Sequence, residues 1–453
     1  MKLIYNVDTK PKQIGYLQMA LFSLQQLLAI MAATILVPAI IGRGMSQTAA
    51  LFGAGVGTLV YLFLTKFKSP VFLGSSFAFL GSMGAAFAGG VSMSAGYLGL
   101  ILGAIMAGLV YVVISIVIKF AGVNWINKLM PIVVIGPTVA LIGLSLAGTA
   151  VSNLTQGGVV NKYGMTVTSP YVALICGLVT LFATIAASVY GKKMAKMIPF
   201  IIGIAAGYIV ATLFTVVGKI TDNSALLVID FSKFNDIQWV PDFTFLTAFS
   251  GDYSFGSIGS FGAYLGTIAM AYVPVAFVVF AEHIADHKNL STIIEKDLLE
   301  EPGLHRTLLG DGIGSMAGAL FGGCPNTTYG ECVGCVAISG NASVCTIALT
   351  AIMAIAISFF GPFATLLATI PACVIMGGIC VALYGFIAVS GLKMVQKVDL
   401  NDNRNLFVVS VILITGIGGL SLTFGKVTIT NIACALILGI ITNVLVNLKK
   451  TDK

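Results

Sequence analysis

Apolar runs of about 20 residues recur from Tyr16 to Val446 with only short polar breaks between them, and a run of that length crosses a hydrocarbon core about 30 Å thick as one helix. The bilayer is therefore the solvent of this chain. Charged residues make up only 9% of it, against about 25% in soluble domains, which excludes an ordinary soluble enzyme. The polar start, Met1 to Gln13, carries Lys2, Lys10 and Lys12, and the apolar run behind it is about 23 residues long without a small-residue cleavage pattern. It reads as a retained first span and not as a signal peptide.

The expected spans are 16–40, 49–65, 70–90, 96–118, 129–151, 170–190, 197–218, 262–287, 307–323, 326–340, 343–360, 363–392, 405–423 and 428–447, fourteen in all. Lys and Arg collect in short cytoplasmic loops, so charge tests that number. With the N-terminus inside, 19 of the 24 Lys and Arg fall on the inner side, and only Arg43, Lys162, Lys219, Lys233 and Lys426 fall outside. Both termini are thus expected in the cytoplasm of a multi-pass protein of the cell membrane. The net charge of +7 is then an orientation signal and no sign of a nucleic-acid partner. The long segment at about 219–261 is expected to be an external loop with some structure of its own. The eight cysteines are scattered through apolar segments, where Cys behaves as a small hydrophobe. Cys332 and Cys335 have CxxC spacing but no second pair and no nearby His, so packing, not metal binding, is the expectation, and no cofactor is implied.

The two halves of the chain resemble each other. "MPIVVIGPTVALIGLSLAG" (Met130 to Gly148) has a counterpart in "IPACVIMGGICVALYGFIAVSG" (Ile370 to Gly391), with Pro131 matching Pro371 and Val134-Ile135 matching Val374-Ile375. These are the fifth and twelfth spans. A repeat unit of seven spans is odd, so its second copy enters the membrane from the opposite side, as in secondary transporters. The expected architecture is an all-α polytopic membrane protein of about 14 segments in two inverted repeats of seven, about 16–218 and about 262–447. The third and tenth spans, "SPVFLGSSFAF" and "FGGCPNTTYGE", are rich in Gly, Pro, Ser and Thr and poor candidates for continuous helix. Extended backbone at membrane depth is tolerated only inside protein or along a cavity, and paired interruptions point to a transport site. Ordinary Gly-rich spans in close helix packing are the bland alternative.

An ionisable side chain at the bilayer centre costs at least ~2.5 kcal/mol, so each one within a span is a functional candidate: Glu282, Asp286, Asp311 and Glu331. Glu331 follows "PNTTYG" at the expected first turn of a half-helix, where unpaired N–H groups and the positive dipole end favour a carboxylate and can donate to a ligand carbonyl. A capping role without a ligand would explain it equally. Glu282, Asp286 and Asn289 share one face of a helix, although hydropathy alone sets Glu282 near the cytoplasmic rim. His283 and His287 lie off this stripe and His305 sits in a loop, so all three read as structural or surface residues. Asp311 could fix helix packing through a hydrogen bond. Two carboxylates beside two half-helix N-termini suit a planar ring with alternating N–H donors and carbonyl acceptors. Glu282 and Glu331 would take its N–H groups, backbone N–H near Phe77, Tyr329 and Gly330 would meet its carbonyls, and an aromatic ring would cover its face. Uracil, xanthine and other oxopurines all meet that description.

The segments "SLQQLLAIMAATILVP", "LGSSFAF", "AEHIADH", "KDLLEEPGLHR" and above all "PNTTYGECVGCVAIS" resemble, in order and over nearly the whole chain, the bacterial uracil permeases of the nucleobase–ascorbate transporter family. The resemblance implies proton-coupled uracil symport by alternating access, with a core domain (segments 1–4 and 8–11) working against a gate domain (segments 5–7 and 12–14), and pairing of two copies through the gate domain. It also implies that Glu282 and Glu331 bind substrate, that Phe77 and Tyr329 line the site, and that the backbone of Gly330 and Ala33 approaches the ligand. Two departures stand out. Ser339-Gly340 replaces the Thr and basic residue usual in the family signature, and Asp286 stands where some uracil permeases have His. Two close carboxylates in a poorly hydrated site resist double ionisation, so Glu282 and Asp286 are the expected proton-coupling pair. A purine or other small-anion transporter on the same fold is the first rival reading. An uncoupled channel is the second, and a membrane enzyme is disfavoured because no metal cluster or activated nucleophile falls within the spans.

Overall fold

The structure, a computed structural model, describes residues 3–122, 131–159, 166–192, 194–235, 237–424 and 427–448. The start of the fifth span (129–130) and Lys2, Lys128, Lys162, Lys193, Lys426, Lys449, Lys450 and Lys453 lie outside them. The first half of the chain consists of α1 (Tyr16–Ile41), α2 (Gln47–Leu64), strand β1 (Leu73–Ser75), α3 (Leu80–Ala86), α4 (Met93–Ala121), α5 (Ile132–Asn153), α6 (Pro170–Tyr190) and α7 (Pro199–Ile220). The second consists of α8 (Phe261–Ile294), α9 (Leu304–Gly322), strand β2 (Asn326–Thr328), α10 (Gly330–Ser339), α11 (Val344–Ser358), α12 (Gly361–Thr369), α13 (Cys373–Val395), α14 (Asn403–Ile417) and α15 (Asn431–Asn447). Among the described residues, eight helices are long and apolar enough to cross a membrane, nine if α11 and α12 count as one bent span. Exposed apolar side chains such as Phe120, Phe182 and Ile414 give the outer surface the character of a chain solvated by lipid.

Local signals set the helix ends. Ser46, Ser92, Ser260 and Thr430 each cap a helix by accepting from the backbone N–H three residues on, satisfying a donor that the helix cannot. Two expected boundaries move. The twelfth span, 363–392, is not one helix: the chain breaks at Pro371 between α12 and α13, because proline cannot donate to a continuing helix, and α12 meets α11, the eleventh span, at 80° around Phe360-Gly361-Pro362. The eighth span runs on past 287 to Ile294. Glu282 therefore sits 12 residues inside the helix end, about 18 Å at 1.5 Å per residue. The segment before α8 carries short turns of its own, including Phe231–Asn235 and Thr244–Ala248.

Repeat-related segments meet in antiparallel pairs. α2 and α9 touch backbone to backbone: a Cβ built on Gly53 would lie 2.3 Å from the Gly318 carbonyl oxygen, and one on Gly57 2.6 Å from that of Gly314. α5 and α13 do the same, with Gly143 against Tyr384 and Gly391 against Ala140. In both pairs the numbers rise on one helix as they fall on the other, the relation that an inverted repeat of seven segments imposes on its second and ninth, or fifth and twelfth, members. α1, α2, α4, α8, α9 and α11 pack as one group, and α5, α6, α7, α13, α14 and α15 as another.

Candidate functional site

The two interrupted segments pair with each other. β1 and β2 form an antiparallel ribbon with Leu73 opposite Thr328, Gly74 opposite Thr327 and Ser75 opposite Asn326, and all six residues are buried. Two strands cannot satisfy all of their own backbone groups, and the surroundings supply the rest. The Thr58 hydroxyl both accepts from the Leu73 N–H and donates to its carbonyl at 2.9 and 3.2 Å, and the Asn326 N–H donates to Ser315 Oγ at 2.9 Å. The Tyr329 hydroxyl donates to the Ser75 carbonyl at 2.8 Å. Its ring lies so close to Gly74 that a Cβ there would fall 2.3 Å from it, so only glycine fits at that point of the ribbon.

Beyond the ribbon lies a cavity of about 350 Å³. One wall is made by Ser76, Phe77 and Ala78 after β1, by Thr327 to Glu331, and by Val278, Glu282, Ala285 and Asp286 of α8. The opposite wall is made by Val139 and Ile142 of α5 and by Leu383, Phe386, Ile387, Ser390 and Met394 of α13. Of the residues singled out in the sequence, Glu282, Asp286, Glu331, Phe77, Tyr329 and Gly330 share this cavity. Ala33 does not line it: it is 1% exposed in the packing of α1. The next residue, Thr34, reaches the Tyr329 hydroxyl at 3.4 Å, so α1 backs the aromatic wall without forming it. Asn289, also on the α8 stripe, is exposed outside the cavity wall.

Gly330 and Glu331 are the first two residues of α10, so their N–H groups have no partner within the helix and a carboxylate or a ligand carbonyl is favoured beside them. Asp286 is held from the ribbon side, where the Thr328 hydroxyl donates to its Oδ2 at 2.7 Å. The other face of α8 is a closed polar chain. His283 pairs through Nδ1 with Asp311 Oδ2 at 2.7 Å and through Nε2 with Thr307 at 3.0 Å. His287 meets the Tyr61 hydroxyl at 2.7 Å, and the two imidazoles stack at 4.1 Å. Both histidines and Asp311 are 0% exposed and tie α8 to α2 and α9. Sequence reasoning missed the α5 and α13 wall. Phe386, Ser390 and Met394 stand four apart, one stripe of a helix, and a serine in an otherwise apolar stripe was the available signal.

A family model described as Permease family, Xan_ur_permease, matches residues 17–424. The uracil permease of Bacillus caldolyticus is 40% identical over 447 residues, 98% of this chain and 95% of that one. Those of Bacillus subtilis (strain 168) and Escherichia coli (strain K12) are 38% and 34% identical, over 95% and 94% of this chain and 93% and 90% of theirs. Among solved structures, the transmembrane domain of a cyanobacterium bicarbonate transporter, BicA, superimposes with a TM-score of 0.61 at 16% identity over 97% of this chain and all 100% of that one. The murine Solute Carrier 26 family member A9 anion transporter, in its inward-facing state, gives 0.64 at 13% identity over 96% of this chain and 69% of that one. At such identities the likeness is one of fold: a membrane transporter built on inverted repeats.

Proposed function

The chain belongs to the Xan_ur_permease family of permeases, and from that membership and the chemistry of the central cavity we propose that it carries uracil across the cell membrane by proton-coupled symport. The observation that carries the reading is the meeting of Glu282 and Glu331 with the first residues of two half-helices on one cavity between two packed groups of helices. Uracil gives its ring N–H groups to the two carboxylates, and charge-assisted bonds of this kind are roughly twice as strong as neutral ones. Its carbonyls accept from N–H groups at Phe77 and Gly330, and Phe77 and Tyr329 supply apolar contact. Asp286, one helical turn from Glu282, makes the pair reluctant to carry two charges, so a proton travels with the base.

In this reading the group α1, α2, α4, α8, α9 and α11, with the ribbon, α3 and α10, is the core domain, and the α5 to α7 and α13 to α15 group is the gate. The site stays fixed on the core while its exposure alternates. Both termini lie in the cytoplasm, a placement supported by the Lys and Arg asymmetry. Pairing of two copies through the gate domain rests on the family resemblance. The chain is a transporter and not an enzyme. Uptake of labelled uracil into proteoliposomes under an imposed pH gradient tests the reading. Accumulation above the outside concentration, abolished by a proton ionophore, is the expected result. Linear, unsaturated flux would instead make it a channel, and counterflow competed by xanthine or uric acid but not by uracil would make it a purine carrier.

A further inference from the structure

Glu331 belongs to two cavities. Besides the central one, it lines a second of about 160 Å³ between Ala32 of α1, Gly334 and Cys335 of α10 and Pro199 at the start of α7, with Lys196 also in its wall. At roughly 30 Å³ per molecule, that is room for about five waters. Glu331, Gly334, Cys335 and Ile338 are spaced i, i+3, i+4 and i+7 along α10, one stripe of this half-helix, and all four line the cavity, although Cys335 is itself buried against Ala29 and Ile198. Gly334 makes the point sharply: a Cβ built on it would meet nothing within 4 Å. Lys196 is an exposed ammonium on the short helix Met194–Met197.

We propose that the proton held by the Glu282–Asp286 pair while the base is bound leaves by way of Glu331 and this second cavity, separate from the opening through which the base itself leaves, and that Lys196 is its positioning residue. The proposal rests on the reading of Glu331 as a substrate-binding carboxylate. Once the base has gone, the O–H bond of the protonated Glu282–Asp286 pair breaks, a water of the central cavity carries the proton to the Glu331 carboxylate, and the Glu331 carboxyl then gives it up to a water of the second cavity. Glu331 is left as carboxylate, and the hydronium hands its charge along the waters to the face that carries Lys196. No other reactant is needed. The titratable groups that share a cavity wall with Glu331 are Glu282 and Asp286 from α8, Tyr329 and Cys335 from its own segment, and Lys196 from the turn before α7; the facing part of α1 contributes Ala32 and apolar neighbours only. Two acidic neighbours oppose the ionised state of Glu331, and Lys196 is the cation on the side of the second cavity that favours it.

The test uses the full chain in proteoliposomes. Gly334→Leu sets its side chain into the cavity, where the Cβ meets nothing within 4 Å, and Gly334→Ala fills it in part. The expected result is uracil binding within about twofold of the parent and retained exchange of labelled for unlabelled uracil at equal pH, with net uptake driven by a pH gradient reduced about tenfold or more for Leu and less for Ala. Exchange survives because the carrier shuttles with its proton in place, whereas net uptake requires that the proton leave. Lys196→Gln should reproduce this split and Lys196→Arg should restore net uptake. Parent-like net uptake by Gly334→Leu would overturn the proposal, as would equal losses of binding, exchange and net uptake, which would make the second cavity part of the substrate route. If the parent itself carries no uracil, the functional reading falls and the proposal with it, an outcome read before any variant is made.

Discussion

Glu282 and Glu331 line the same space but are held differently, the one in mid-helix on α8, the other at the start of α10. A hydrogen bond to a charged group contributes about 1.5–3 kcal/mol, so Glu282→Gln should weaken uracil binding by about 10- to 100-fold, read by calorimetry on the purified protein. It should also abolish uphill accumulation; a variant that still concentrated uracil with the parent's response to pH would rule the carboxylate out. Gly74 is a sterner case, because the Tyr329 ring fills the place of a side chain and its hydroxyl is tied to Ser75. Gly74→Ala should cost about 1–3 kcal/mol, as overpacking does, seen as a lower melting temperature in detergent. Adding Tyr329→Ala removes the clashing ring, so the double variant should lose less than the two single losses together.

At the scale of elements, α2 and α9 are held by contact so close that backbone meets backbone. Gly53→Val has nowhere to put its side chain, and a melting temperature lowered by several degrees or failure to accumulate in the membrane is expected, about 1–3 kcal/mol or more of overpacking. Gly334→Ala, which enters empty space inside α10, should raise the melting temperature slightly, since Ala favours helix over Gly by up to about 1 kcal/mol, and that contrast measures packing against propensity. Much of this was legible in the sequence. The Gly, Pro, Ser and Thr of segments three and ten marked their interruption, and Pro131 and Pro371 stood out as equivalent positions of the two halves. The pairing of β1 with β2 was not legible, because hydrogen bonds between residues about 250 positions apart leave no local periodicity. The bend between α11 and α12 was legible in Gly361-Pro362, which fell between the expected spans 343–360 and 363–392, whereas the break at Pro371 inside the second of these was hidden by unbroken hydropathy on both sides. His283 and His287 were read as structural or surface residues, and the full burial of their link to Tyr61 and Asp311 could not be seen from spacing. Lys196 was counted only as a topogenic charge, since nothing in its sequence neighbourhood announces a cavity.

Over the whole molecule, two packed groups of helices share one cavity, and its walls come from both. A cross-link joining α2 to α9 lies within one group and should leave uptake intact in a cysteine-free background. One joining α8 to α13 spans the cavity and should stop uptake while sparing binding, and uptake that survived it would end the two-domain reading. The ribbon bears on how such a protein is made. Its first strand is synthesised about 250 residues before its mate, so until the second half emerges, β1 carries an unmatched edge that lipid cannot satisfy. Neither half of the chain can finish the pocket by itself, and biogenesis has to shelter an incomplete half until the other arrives.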